Sequence, residues 1–152
     1  MIIQSTRFGE LEISEDDIIK FPEGLCGFPY ENSFILISHQ PDSPFIFMQS
    51  VSEPDLTFVM LETFKLSKEY EFTLNDQVVQ ELNLSTNNPP QIYNIVTTPQ
   101  KIDEMTVNLL APIVIDVNHR IAKQVVLENV PYKVRHRLFI EGLSQMIKEH
   151  GK

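Results

Sequence analysis

Apolar and polar positions along this chain of 152 residues change over in short stretches rather than long runs. In the first half, Pro22, Gly24, Gly27, Pro29, Pro41, Pro44 and Pro54 cut the sequence at close intervals. Between them lie residues 34–38 and 45–51, apolar or alternating and of strand length. Leu11 and Ile13 on one side, and Ile18, Ile19 and Phe21 on the other, bracket the acidic triplet Glu15, Asp16, Asp17. That arrangement predicts a charged tight turn between two strands. Residues 58–61 and 92–98 are rich in aromatic and β-branched types and read as further strands, the second closed by Pro99.

Between those two strands the period changes. Val78, Val79 and Leu82 recur at helical intervals over residues 76–84, with Asn75 or Asp76 placed to cap the first turn. Asn87, Asn88, Pro89 and Pro90 end the pattern. Residues 107–116 and 122–129 are the most apolar segments, and Asn118, His119 and Arg120 between them have the chemistry of a hairpin connection, which predicts the centre of a sheet. Beyond Pro131, Phe139, Leu143, Met146 and Ile147 repeat on one helical face, so residues 139–152 are expected to form a C-terminal helix or tail. Many short strands without a fixed repeat predict a mainly β fold. The expected form is a small antiparallel β-barrel or sandwich-like single domain over residues 1–152, with one or two short helices.

Composition narrows the function. An apolar content of 42% suits one domain able to bury its own core. The lone Cys26 cannot form an internal disulfide, and the first residues lack the basic start and apolar core of an export signal, so the expected location is cytoplasmic. The longest apolar stretch, residues 109–115, contains Pro112 and is far shorter than the roughly 20 residues that cross a bilayer. Twelve basic against twenty-one acidic side chains give a net charge of −9, which repels phosphate backbones and favours encounter with basic partners. The same charge also serves solubility.

The motifs of catalysis are missing from the chain: it has no glycine-rich phosphate loop, paired-cysteine spacing or nucleophile elbow. His39, His119, His136 and His150 are scattered, and His136 stands between Arg135 and Arg137, cations that oppose a metal ion. No enzyme activity, metal or cofactor is therefore expected. Polar residues inside apolar runs carry more information. Gln49 and Ser50 follow residues 45–48, and Asn108 precedes residues 109–115. Such amides either satisfy backbone groups at strand ends or mark an edge where a partner docks.

These segments also carry a resemblance. Thr6, Arg7, Phe8, Gly9 and Glu10, followed by Phe21, Pro22, Glu23, Gly24 and Leu25, resemble the start of the FliW family of flagellar assembly factors. Gly27 and Phe28 are similar to the family's next loop, and Pro44, Phe45, Gln49 and Ser50 to its central strand. Its most distinctive run is matched by Met105, Thr106, Asn108, Leu109, Ala111, Pro112, Ile113 and Val114. The similarity spans residues 1–139, with departures at Cys26, Phe47 and Asp116, where the family usually has proline, tryptophan and asparagine.

The resemblance implies a non-enzymatic, cytoplasmic regulator, monomeric when free, with two protein partners. These are flagellin and the RNA-binding translational repressor CsrA. The regulator would bind CsrA away from its RNA site to relieve repression of flagellin translation, and unsecreted flagellin would sequester the regulator. Phe28 and Phe45 as apolar anchors, with Gln49 and Asn108, are the expected partner-binding residues. The alternative from a different class is a small-ligand-binding β-barrel protein.

Overall fold

In the computed structural model, which describes residues 1–38, 41–67, 69–97 and 104–137, the short alternating stretches become eleven strands. They are β1 (Ile2–Ser5), β2 (Gly9–Glu12), β3 (Ile19–Lys20), β4 (Ser33–Ile37), β5 (Phe45–Ser50) and β6 (Thr57–Leu61), followed by β7 (Gln91–Val96), β8 (Thr106–Val107), β9 (Ile113–Asp116), β10 (Ile121–Gln124) and β11 (His136–Arg137). Two short helices, α1 (Thr63–Leu66) and α2 (Asp76–Glu81), lie between β6 and β7. The expected C-terminal helix lies outside the described residues.

Seven strands close on themselves in the order β7, β6, β5, β4, β3, β10, β9, and β9 pairs back onto β7 through Gln91–Ile115, Ile92–Val114 and Tyr93–Ile113. Every pairing in this ring is antiparallel except one seam, where Ile121 of β10 lies parallel to Lys20 of β3. The fold is thus the mainly β barrel expected, with a mixed rather than purely antiparallel ring. Closure pairs strand edges that would otherwise stay open.

The barrel interior is filled by Ile19, Phe21, Phe34, Met48, Met60, Ile113 and Ile115, all with zero exposure. Phe21 and Phe34 meet edge to face at 5.4 Å. Side chains occupying the inside of a small barrel give a packed core rather than a ligand chamber.

Three local outcomes depart from the sequence pattern. Residues 107–116 do not form one strand: Asn108 Oδ1 accepts the Ala111 N–H at 3.0 Å, bending the chain, and Pro112 has no amide to offer a ladder. Only β9 and β10 remain as the hairpin, and they form part of the closing seam instead of a sheet centre. Helix α2 is capped by Asn75, whose Oδ1 accepts the Val78 N–H at 2.9 Å, as one of the two expected caps. It stops before Asn87 because Asn83 takes φ +53°, and the Asn83 and Leu84 amides fold back onto the carbonyls of Gln80 and Val79. The third departure is the β1–β2 hairpin, packed on the barrel through Ile3 and Ser5.

The acidic triplet is the predicted turn. It forms one 3-10 turn in which Ser14 Oγ accepts the Asp16 N–H and Asp17 Oδ2 accepts the Ser14 N–H, a reciprocal cap.

Candidate partner-docking surface

Residues 21–32 link β3 to β4 by a loop that is tied at every turn. Leu25 and Phe28 exchange backbone hydrogen bonds of 3.1 and 2.8 Å, the Gly24 N–H reaches Phe21 O, and the Asn32 side chain donates to the same carbonyl. The Cys26 N–H donates to Gln124 Oε1 at 2.9 Å, fastening the loop to β10. Gly24 has φ +68°, and a Cβ there would lie 2.5 Å from the Pro29 carbonyl oxygen, so the closed loop requires glycine.

At the tip of this rigid loop Tyr30 is 92% exposed. Phe28 is 39% exposed, with its ring set edge-on against Phe58 at 5.4 Å. Phe28, held against Phe58 on a tied backbone, has already given up part of its conformational freedom, which lowers the cost of binding. Phe28 is thereby placed where a partner can reach it. Tyr30 was missed in the sequence, although an aromatic between Pro29 and Glu31 in a turn-rich stretch was a usable signal.

Gln49 has a different setting. It is wholly buried, with Oε1 accepting from the Ser5 and Thr57 hydroxyls and Nε2 donating to the carbonyls of Ser50, Glu53 and Pro54. The amide joins the β1–β2 hairpin to the turn between β5 and β6. Its bonds are those of an internal joint, so it presents no atom to a partner in this conformation.

Asn108 is half-buried, and its side chain serves the 108–111 turn. Its carbonyl accepts from Asn94 Nδ2 at 2.9 Å. Asn94, buried in β7, also accepts from Thr63 Oγ1 at 2.6 Å and donates to Tyr70 OH at 3.1 Å, while Tyr70 OH donates to Leu109 O at 2.7 Å. Burial pushes the Tyr70 phenol up to about 12, against the smaller opposing effect of Asn94. Phe45 is half-buried, pairs across the sheet with Leu61 and packs on the same cluster as Leu109. The four candidate residues therefore occupy three settings: an exposed loop, a buried joint and the rim of an aromatic cluster.

A third joint is charged. Asp116 at the end of β9 has zero exposure; its Oδ1 accepts from Asn88 Nδ2 and from the Asn118 and His119 amides, and its Oδ2 lies 2.7 Å from His119 Nδ1. Burial alone would raise this carboxyl, but the bonds from Asn88 and His119 outweigh it and hold the group below the usual range. Asn88 also donates to Asn83 O, so the loop after α2 hangs on this carboxylate.

Elsewhere a run of acidic side chains faces solvent. Glu10 and Glu12 on β2 and the following Glu15, Asp16 and Asp17 are all exposed. Among the described residues no three His, Cys, Asp or Glu side chains are grouped to hold a metal ion, and no helix is long and apolar enough to cross a membrane.

The comparisons with known proteins agree with one another. The family model described as FliW protein matches residues 2–138. A flagellar assembly factor FliW of Desulfitobacterium hafniense (strain DSM 10664 / DCB-2) is 47% identical over 152 residues, covering all of both chains. One from Geobacillus sp. (strain WCH70) is 41% identical, covering 95% of this chain and all of the relative. A solved crystal structure of the flagellar assembly factor FliW superposes with a TM-score of 0.85 at 40% identity, covering 93% of this chain and 99% of the other.

Proposed function

Because this chain belongs to the FliW family of flagellar assembly factors, we propose that it acts by binding proteins in turn rather than by catalysis. In the cytoplasm it binds the translational repressor CsrA and relieves repression of flagellin translation. Unsecreted flagellin competes for it, so that export of flagellin frees it. Differential binding of two partners is all such a switch requires, whether they exclude each other or are linked by a coupling free energy.

The observation that carries this reading is the tied 21–32 loop, which spends its internal hydrogen bonds on holding Phe28 and Tyr30 outward. Exposed aromatics on a rigid support are typical binding anchors. A net charge of −9 supports approach to an RNA-binding protein, whose surface is basic where it meets phosphate. The packed interior weighs against the small-ligand carrier.

Calorimetric titration of the protein into CsrA, with and without saturating flagellin from the same source, tests the reading. Heat of binding that disappears when flagellin is present is the expected result. An absence of binding to CsrA removes the regulatory claim and leaves a dedicated flagellin-holding protein.

A further inference from the structure

Away from the aromatic loop, residues 73–75 and 125–129 form the two walls of a surface groove of about 220 Å3. This is below the roughly 300–1,000 Å3 of small-molecule pockets. Both walls show alternating burial, yet neither belongs to a strand of the barrel; residues 125–127 run extended, and the second wall turns at Asn129, which has φ +56°. The second wall is paired on one side only: the Val125 N–H donates to Pro112 O at 3.0 Å and the Leu127 N–H to Leu110 O at 2.9 Å. In an extended chain successive residues aim their amide and carbonyl in opposite directions. The backbone groups of Val126 therefore point away from residues 110–112, and they make no hydrogen bond among the described residues.

The walls are fixed. Tyr132 OH accepts from the Glu71 N–H at 2.9 Å and donates to its carbonyl at 3.0 Å, holding the start of the first wall, while the Asn75 cap of α2 holds its end. Val126 is 57% exposed beside this free edge. Glu128 is the charged residue lining the groove, and exposed Glu71 and Asp76 flank the opposite wall, while Lys123, two residues before Val125, is already paired with Glu23 and Glu81.

We propose that this groove takes an extended basic segment of a partner protein, which adds its backbone to the open edge at Val126 and sets Lys or Arg side chains against Glu128, Glu71 and Asp76. Strand addition supplies affinity through main-chain bonds, and the acidic rim supplies selection for cations. The inference rests on the open backbone edge and stands apart from the partner-switch reading.

The test uses the full chain and two synthetic octapeptides, one alternating lysine with valine and one alternating glutamate with valine. Under titration with the lysine peptide, amide exchange at Val126 should slow by about tenfold, with little change in the 21–32 loop. Val126→Pro, which deletes the donor, and Glu128→Lys, at an exposed position, should each weaken that peptide by about fivefold or more while circular dichroism stays unchanged. Equal binding of both peptides, or saturation without protection at Val126, would overturn the proposal. So would unaltered affinity in a folded Glu128→Lys protein. None of these outcomes depends on CsrA or flagellin.

Discussion

The joint at Asn94 and the joint at Asp116 solve the same problem with different chemistry. Each fastens a non-barrel segment to a barrel strand through a wholly buried side chain. Asn94 uses a neutral amide to hold Thr63, Tyr70 and the 108–111 turn, whereas Asp116 uses a carboxylate to hold Asn88 and the β9–β10 turn. The neutral joint lies among apolar and aromatic groups, where an unpaired charge would be costly. The charged joint opens on one side to His119, whose side chain is 57% exposed, and three further donors converge on the carboxylate. Burial of a polar group is tolerable in either form once its partners are complete, and the form decides which solution conditions undo it.

The largest effect should come from breaking the neutral joint. Asn94→Ala strands the Asn108 carbonyl, removes a partner of the Tyr70 hydroxyl, leaves Thr63 only its longer bond to Leu61 O, and should cost about 3 to 5 kcal/mol, read from the urea midpoint. Tyr70→Phe removes one buried hydroxyl and should cost about 1 to 2 kcal/mol near neutral pH. It also carries a pH signature. The folded phenol titrates at about 12 against 10.0 for the free group, so its contribution is complete below 10.0 and is lost as pH rises through about 12. The Phe variant should lack that alkaline loss.

Asp116→Asn should cost about 1 kcal/mol or less at neutral pH, since an amide preserves an acceptor for Asn88 and the turn amides. The comparison sharpens in acid. The folded carboxyl sits below the ordinary 3.8 of a free aspartate, so the wild type keeps this contribution above 3.8 and loses it as pH falls from there through the folded value. The Asn variant should show a shallower acid limb in unfolding measured across pH. Tyr30→Ala lies outside both joints and should shift stability by less than about 0.5 kcal/mol. On the proposed function it should nonetheless weaken partner binding by about tenfold in calorimetry.

Much of the strand content was legible because inward and outward residues alternate along a strand. Residues 34–38, 45–51 and 58–61 became β4, β5 and β6 within one residue at either end. The turn at Glu15 and the Asn75 cap were legible because their hydrogen bonds are local. The barrel's closure was not, since the β7–β9 and β3–β10 pairings join residues distant in sequence, and the alternation within one strand does not name its neighbour. The site was partly legible. Phe28 could be singled out as an aromatic in a turn-rich stretch, though its exposure could not, and Gln49 and Asn94 look alike as polar residues in strands until their bonds are traced.

The sequence by itself determined a mainly β chain, acidic, with family-specific runs spread from Thr6 to Val114. Local alternation, turn chemistry and net charge are properties of neighbouring residues and need no third dimension to be read. Tertiary structure decided which polar side chains became joints and which aromatics stayed in water. It also decided that the edge at Val126 was left open. Those outcomes depend on which distant segment arrives to complete each hydrogen bond or cover each ring, and only closure of the barrel brings the segments together.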